Sequence, residues 1–422
     1  MSNPATDLSH RLVRMTGRDP HERGRVATSL ELLFDLTFVV AFGVAGNEFA
    51  HLAATGHLAV GLFGFVFAIF SAVWAWINFS WFASAFDTDD WLYRLVTMLQ
   101  MVGVIILALG LPTFFASLHH GHVDNTTMVL GYVVMRVAML IQWGRVYLQA
   151  PHGGRVALWY IGSLLISQVV WVALALAHTT LTVFVIVAIP TLLIELSGPI
   201  FGERSRRREG VVMATPWHPH HIAERYSLLA IIALGEGVVG TVAALSGAVQ
   251  EAGGWTLEAV LVVIAGVGLT FGMWWTYFGI DWASALHANP ARGFGWGYGH
   301  ILLYIGIAGT GAGLHVAGYV IEGKAEHLSN TEAVLTVAGP VLLFVVMLIV
   351  LYSLLLRTAD AFHLLLLGLS IAVLAAGVAL AAAGVSMGWS LIVVMLAPVV
   401  LVVGYETIGH RHVAADLASL QG

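Results

Sequence analysis

Glu236 and Arg136 are the two ionisable residues that fall deepest in apolar sequence, and they carry opposite signs. The seventh apolar run is continuous after Tyr226 and the fourth begins near Thr126. A helical rise of about 1.5 Å per residue then puts each of the two about 15 Å into a bilayer. A charge at that depth costs at least about 2.5 to 3.5 kcal/mol on insertion scales, so each is a candidate for ion or proton chemistry. Shared depth and opposite sign make them the expected ion pair, with Arg225, eleven residues before Glu236 and near the same helical stripe, as the rival partner. A second layer holds Asp35, Glu195 and Arg145, each a few residues from the inner end of its run, with Glu31 one turn before Asp35. Thr28-Ser29-Leu30-Glu31 has the capping-box pattern, so a cap is the preferred role for Glu31. Asp35 lies too far into its helix to cap it.

Metal chemistry has one candidate place. In Trp217-His218-Pro219-His220-His221-Ile222-Ala223-Glu224-Arg225, the pairs His220 with Glu224 and His221 with Glu224 have helical spacing suited to holding one side of a divalent ion. Ordinary residues of a helix start are the preferred reading, since the helix dipole favours an acid there. His119, His120, His122 and Asp124 cluster in one loop, where a solvated loop is the simpler explanation. His300 and His315 share a helix but not a face, which sets a haem reading aside. The chain has no cysteine, so disulfides, thiolate metal sites and cysteine nucleophiles are excluded. No cofactor can be named from these residues.

The elements that position them are membrane helices. Of 422 residues, 59% are hydrophobic and 10% charged, with mean hydropathy +0.88, against about 25% charged in a soluble domain. The expected fold is an all-α polytopic bundle of about twelve spans, since roughly 20 apolar residues cross one bilayer core. Apolar runs place them near 30–54, 58–83, 92–117, 126–149, 155–177, 180–200, 218–246, 255–280, 296–320, 333–356, 361–383 and 388–406. Arginines test that count independently. Arg11, Arg14, Arg18, Arg23, Arg25, Arg94, Arg155, Arg204, Arg206, Arg207, Arg208, Arg292, Arg357 and Arg411 all fall on one side, and the opposite loops hold only Lys324. The positive-inside rule therefore predicts both termini in the cytoplasm. A net charge of -6 without a basic surface gives no sign of nucleic-acid binding. The bilayer is the expected partner, beside an unidentified small molecule or ion, with a homo-oligomer left open.

The arginine-rich linker suggests a division into a basic tail (1–29), a six-helix half (30–200), the linker (201–217), a second half (218–406) and a second tail (407–422). Weak repeats link the halves: Trp74, Trp76, Phe79, Trp81 and Asp87 resemble Trp274, Trp275, Tyr277, Phe278 and Asp281, and Ala188-Ile189-Pro190 resembles Leu396-Ala397-Pro398. Six spans per half would make such repeats parallel. Glycine runs within spans, Gly266, Gly268, Gly272 and Gly306, Gly309, Gly311, Gly313, are read as sites of close helix packing.

Glu31-Leu32-Leu33-Phe34-Asp35-Leu36-Thr37-Phe38-Val39 resembles the first-helix motif of the bacterial low-temperature-requirement protein A family. His221-Ile222-Ala223-Glu224-Arg225-Tyr226, followed by Leu234-Gly235-Glu236, is similar to its second motif, in the right order and nearly 190 residues on. Leu33, where an aromatic is typical, and Gly237, where a serine is frequent, depart from the pattern. The resemblance implies a bacterial cytoplasmic-membrane protein. It transfers no biochemical activity, but it marks Glu31, Asp35, His221, Glu224, Arg225, Gly235 and Glu236 as motif residues.

Three functions compete. A transporter coupled to protons or another cation, with a polar site between the halves, is preferred because twelve spans and intramembrane acids at two depths fit it. A structural or sensory protein in cold adaptation would use the charges as packing glue. A membrane-embedded enzyme acting on lipid or isoprenoid would work from a crevice at His221 and Glu224. The expected site residues are Glu31, Asp35, Arg136, Glu195, Glu224, Arg225 and Glu236, with His220, His221 and Glu224 as metal candidates.

Overall fold

Spans this apolar must satisfy every backbone N–H and C=O internally, and helices do so without neighbours. The computed structural model describes residues 12–150, 154–207, 215–251, 254–358 and 360–413. Arg11 and Arg208 of the basic stretches, and the tail from 414, lie outside the described residues. All regular structure among the described residues is helical: α1 (Ser29–Ala54), α2 (Leu58–Phe86), α3 (Trp91–Ser117), α4 (Thr126–Gln149), α5 (Gly154–Ala177), α6 (Leu181–Arg207), α7 (Pro219–Glu251), α8 (Leu257–Phe278), the short α9 (Trp282–Ala288), α10 (Gly293–Ile321), α11 (Asn330–Leu356), α12 (Ala361–Ala382) and α13 (Met387–Gly404). Twelve spans among the described residues are long and apolar enough to cross a membrane. The chain is a multi-pass helical membrane protein.

One boundary matters for function. Apolar sequence ends near residue 200, but α6 continues through Pro190 and Pro199 to Arg207. Glu195 therefore lies within two residues of the middle of α6, as Arg136 does in α4. Its expected place near the inner end is corrected, because a polar final turn is invisible to a hydropathy criterion.

Two compact units divide the chain, Met1–Ala41 with Trp74–Arg225, and Phe42–Val73 with Tyr226–Gly422. In the first, α3 packs on α4, α4 on α5, and α5 on α6. The α3 and α4 backbones nearly touch: a Cβ on Gly131 would fall 2.3 Å from the Leu107 amide nitrogen, and one on Gly110 would fall 2.3 Å from that of Met128. In the second unit α10 packs on α11, α8 on α13, and α12 on both α11 and α13. Here the expected packing role of the glycine runs is seen directly. A Cβ on Gly313 would lie 2.2 Å from the Thr336 carbonyl, and one on Gly272 would meet Pro398 at 3.0 Å. Small residues bring helices close where lipid offers no hydrophobic drive to associate.

Candidate functional site

The first unit buries two charged clusters. One forms at the start of α1 and α7, where Asp35 and Arg225 both lie about 9 Å in from their helix starts. Arg225 donates to Glu31 Oε1 (2.7 Å) and to Asp35 Oδ1 (2.5 Å). Trp76 on α2 donates its indole N–H to the same Asp35 oxygen at 2.6 Å. His221 Nε2 stands 3.2 Å from Glu31 Oε1. Glu31 also accepts from the Thr28 amide (2.8 Å) while Thr28 Oγ1 accepts from the Glu31 amide (3.2 Å). The capping box is therefore present, and the same carboxylate serves as a ligand of Arg225. Glu31, Asp35, His221 and Arg225 are all 1% exposed or less. The Arg225 guanidinium lies 5.6 Å from the Trp76 ring and 5.8 Å from that of Phe79, an aromatic seat that offsets part of its lost hydration.

The second cluster sits at mid-span around Glu195. Its Oε2 accepts from Trp74 Nε1 (2.7 Å), Tyr132 Oη (2.5 Å) and Arg136 Nη2 (3.1 Å). Its Oε1 accepts from Trp171 Nε1 (3.2 Å) and Gln168 Nε2 (3.3 Å). Arg136 also donates to Tyr132 and stacks over its ring at 4.3 Å. Five donors from α2, α4 and α5 converge on one carboxylate. That saturation is what a charged group in low dielectric requires.

The expected pairing of Arg136 with Glu236 is thus corrected: Arg136 pairs with Glu195. Arg225, the rival partner, is taken by Glu31 and Asp35. Arg145, grouped in sequence with Asp35 and Glu195, instead binds Asp90 at 2.6 Å, and Asp90 caps α3 through the Tyr93 amide. Burial works against the Asp90 carboxylate, yet the Arg145 and Tyr93 hydrogen bonds outweigh it and hold its pKa below the usual range.

Glu236 belongs to the second unit and to the middle of α7. It is 8% exposed, and no hydrogen bond or ion pair joins it to any described residue. A Cβ added to Gly43 on α1 would stand 3.5 Å from both of its carboxylate oxygens. On α10, a Cβ on Gly311 would fall 2.4 Å from the Glu236 carbonyl oxygen. Glycines thus bring α1 and α10 against α7 at the level of this carboxyl.

Outside the spans, Asp87 follows α2 and is 3.5 Å from Arg18 and 3.9 Å from Arg25. Burial, reinforced by the charge on Glu31, pushes its carboxyl up to about 6 in spite of both arginines. Glu224 is half-buried and accepts from the Ala27 amide at 3.1 Å. His220 is exposed while His221 is enclosed, so neighbouring positions face opposite environments. No three His, Asp or Glu side chains among the described residues converge as a metal site. The His220, His221 and Glu224 set is not assembled.

Sequence reasoning missed the aromatic donors. Trp74 and Trp76 read only as part of a repeat, although an i, i+2 spacing on a helix sends the two side chains about 200° apart. Gln168, Trp171 and Tyr132 gave no signal beyond being polar atoms within apolar runs.

Among the described residues, twelve spans, buried hydrogen-bonded ion clusters and the unpaired mid-span acid Glu236 define a polytopic membrane protein with intramembrane charge. The chain matches the family described as Bacterial low temperature requirement A protein (LtrA) over residues 26–398 and belongs to it. An uncharacterized protein, RA0937, of Rhizobium meliloti (strain 1021) is 28% identical over 264 residues, which is 59% of this chain and 57% of that protein. The family motifs identified above lie within the matched region, and four of their residues, Glu31, Asp35, His221 and Arg225, form the first cluster.

Proposed function

We propose that this protein is a transporter of the bacterial cytoplasmic membrane, coupled to protons or another cation, in which Glu236 binds the coupling ion. One observation carries the reading. Glu236 is buried at the middle of α7 without a hydrogen-bond or ion-pair partner among the described residues, whereas Glu31, Asp35 and Glu195 each have a guanidinium. A carboxyl at that depth is stable only when a proton or a bound cation removes its charge. Glycines on α1 and α10 bring those helices against α7 at that level, and Gly43 places first-half sequence next to second-half sequence there. Both termini, and the segment joining α6 to α7, face the cytoplasm in this reading, because the arginines gather on that side.

The saturated carboxylate of Glu195 suits a structural role, which is the second reading for that cluster. His221 is fully enclosed against Glu31, which weighs against an enzyme that works through its imidazole. A lipid-soluble carbodiimide, which modifies protonated carboxyls within membranes, tests the assignment. Mass spectrometry should find the adduct at Glu236 and not at Glu195, and cations that couple transport should protect it. Equal modification of both residues, or none at Glu236, would reject the role.

A further inference from the structure

The cluster at the start of α1 and α7 has an unbalanced charge. Among the described residues, its enclosed ion contacts join two carboxylates, Glu31 and Asp35, to one guanidinium, Arg225, and to His221. The surroundings do not correct the imbalance. Trp76 and Phe79 from α2 are uncharged. Arg25 is buried within electrostatic reach of Glu31 and His221, but Asp87 after α2, which also faces Arg18, matches its charge. Glu224 on α7 is half-buried and bonded to a backbone amide. Tyr93 from α3 is buried within electrostatic reach of Glu31 and Arg225.

Two of the unused polar atoms point the same way: the acceptors Asp35 Oδ2 and His221 Nδ1 have no hydrogen-bond partner, although both side chains are buried, while Arg225 Nε and the Tyr93 hydroxyl are donors left without one. His221 must carry its hydrogen on Nε2 to donate to the Glu31 carboxylate, which leaves Nδ1 as a bare acceptor. An enclosed cluster with one surplus negative charge and two bare acceptors lacks one positive charge.

We propose that this cluster is a proton-binding site that holds one proton, carried on either Asp35 Oδ2 or His221 Nδ1. The proton adds to a lone pair on one of these atoms and no other bond changes. On Asp35 it leaves Glu31 and Arg225 as a neutral pair. On His221 it makes an imidazolium against Glu31, with Arg225 matched by Asp35. Both forms are electrically neutral, so the proton can move between them without burying net charge. The site stands whether or not Glu236 couples transport, because the two acids belong to different compact units.

The test uses the full-length protein in micelles with Asp87 in place, because replacing Asp87 would leave Arg25 as an extra positive charge within reach of Glu31, and it compares each variant with the natural protein. Asparagine at 35 keeps an oxygen for Trp76 and Arg225 and abolishes the surplus charge. Asp35→Asn should therefore match or exceed its parent in thermal stability at alkaline pH and should lose one proton's worth of pH dependence. His221→Gln should keep that dependence, since Asp35 remains to take the proton. Glu236→Gln should remove only what Glu236 itself contributes, and Asp35→Asn should cause the same further loss with or without it, which separates this site from the transport reading. The proposal is overturned if Asp35→Asn keeps the parental pH dependence, or if sodium at constant ionic strength replaces the stabilising effect of acid, which would make the occupant a metal cation. A second readout needs no substitution at the cluster. With labelled aspartate and histidine, infrared and nitrogen NMR spectra should show a buried protonated aspartate or an imidazolium that disappears at alkaline pH. Absence of both would also overturn it.

Discussion

Trp74 and Trp76, two residues apart on α2, donate their indole N–H groups to two different buried carboxylates, Glu195 at 2.7 Å and Asp35 at 2.6 Å. One helix therefore holds a donor to each cluster, because positions i and i+2 project to opposite sides of it. Each indole also supplies bulk that a small donor would not, and both rings are 1% exposed or less.

Replacing either tryptophan by phenylalanine keeps most of that bulk and removes the donor. Each change is expected to cost about 1 to 3 kcal/mol, the usual effect of unpairing a hydrogen bond to a buried charged group. Because the two indoles serve separate carboxylates, the costs should add to within about 0.5 kcal/mol. Unfolding of the two single variants and the double variant in detergent measures both quantities. Strong non-additivity would mean that the clusters are coupled through α2.

Arg136 and Glu195 are 3.1 Å apart and at most 1% exposed along their side chains. Arg136→Met alone should cost about 3 to 5 kcal/mol by stranding the carboxylate, while Arg136→Met with Glu195→Leu should recover much of the loss. Expression level and melting temperature of the three proteins check this. A double variant no better than the worse single one would show that the remaining donors, Trp74, Tyr132, Trp171 and Gln168, need the acid more than the arginine does.

Asp87 gives the pH dependence a sign. Its carboxyl rises from an ordinary 3.8 to about 6 in the fold, chiefly through burial. The folded protein thus binds this proton more tightly than the unfolded chain does. The associated stability is fully present below about 3.8 and is lost as pH rises through about 6. The shift corresponds to about 3 kcal/mol in order of magnitude. Asp87→Asn should flatten the fall in thermal stability across that interval, which melting curves at successive pH values would reveal.

The two family motifs and the apolar spacing made the helical membrane fold and most of the charged residues legible in the sequence. Partners were harder. Depth along a helix can be read from spacing, and it set Asp35 near the start of α1 and Arg136 at the middle of α4, where the structure has them. It misplaced Glu195, because hydropathy ended α6 seven residues before its actual end at Arg207. With Glu195 removed from the middle layer, Glu236 was the only acid left for Arg136. Pairing also depends on which helices pack together, and the compact units do not follow the chain: residues 42–73 join the second and residues 74–225 the first. No periodicity in α1 or α2 marks those changes of neighbour. His220 and His221, each weighed with Glu224 as a metal ligand, face different environments, since adjacent helical positions point about 100° apart and only His221 is buried.

Ion flux into vesicles reconstituted with the full-length protein tests the role of Glu236 most directly. Proton, sodium and potassium entry would be followed under an imposed membrane potential for the natural protein and for Glu236→Gln. The natural protein should carry at least one of these ions above the leak of protein-free vesicles, and Glu236→Gln should lower that flux at least about tenfold, about 1.4 kcal/mol in barrier, while melting at a similar temperature. Flux no greater than the empty-vesicle leak, or equal flux with and without the Glu236 carboxylate, would contradict the account.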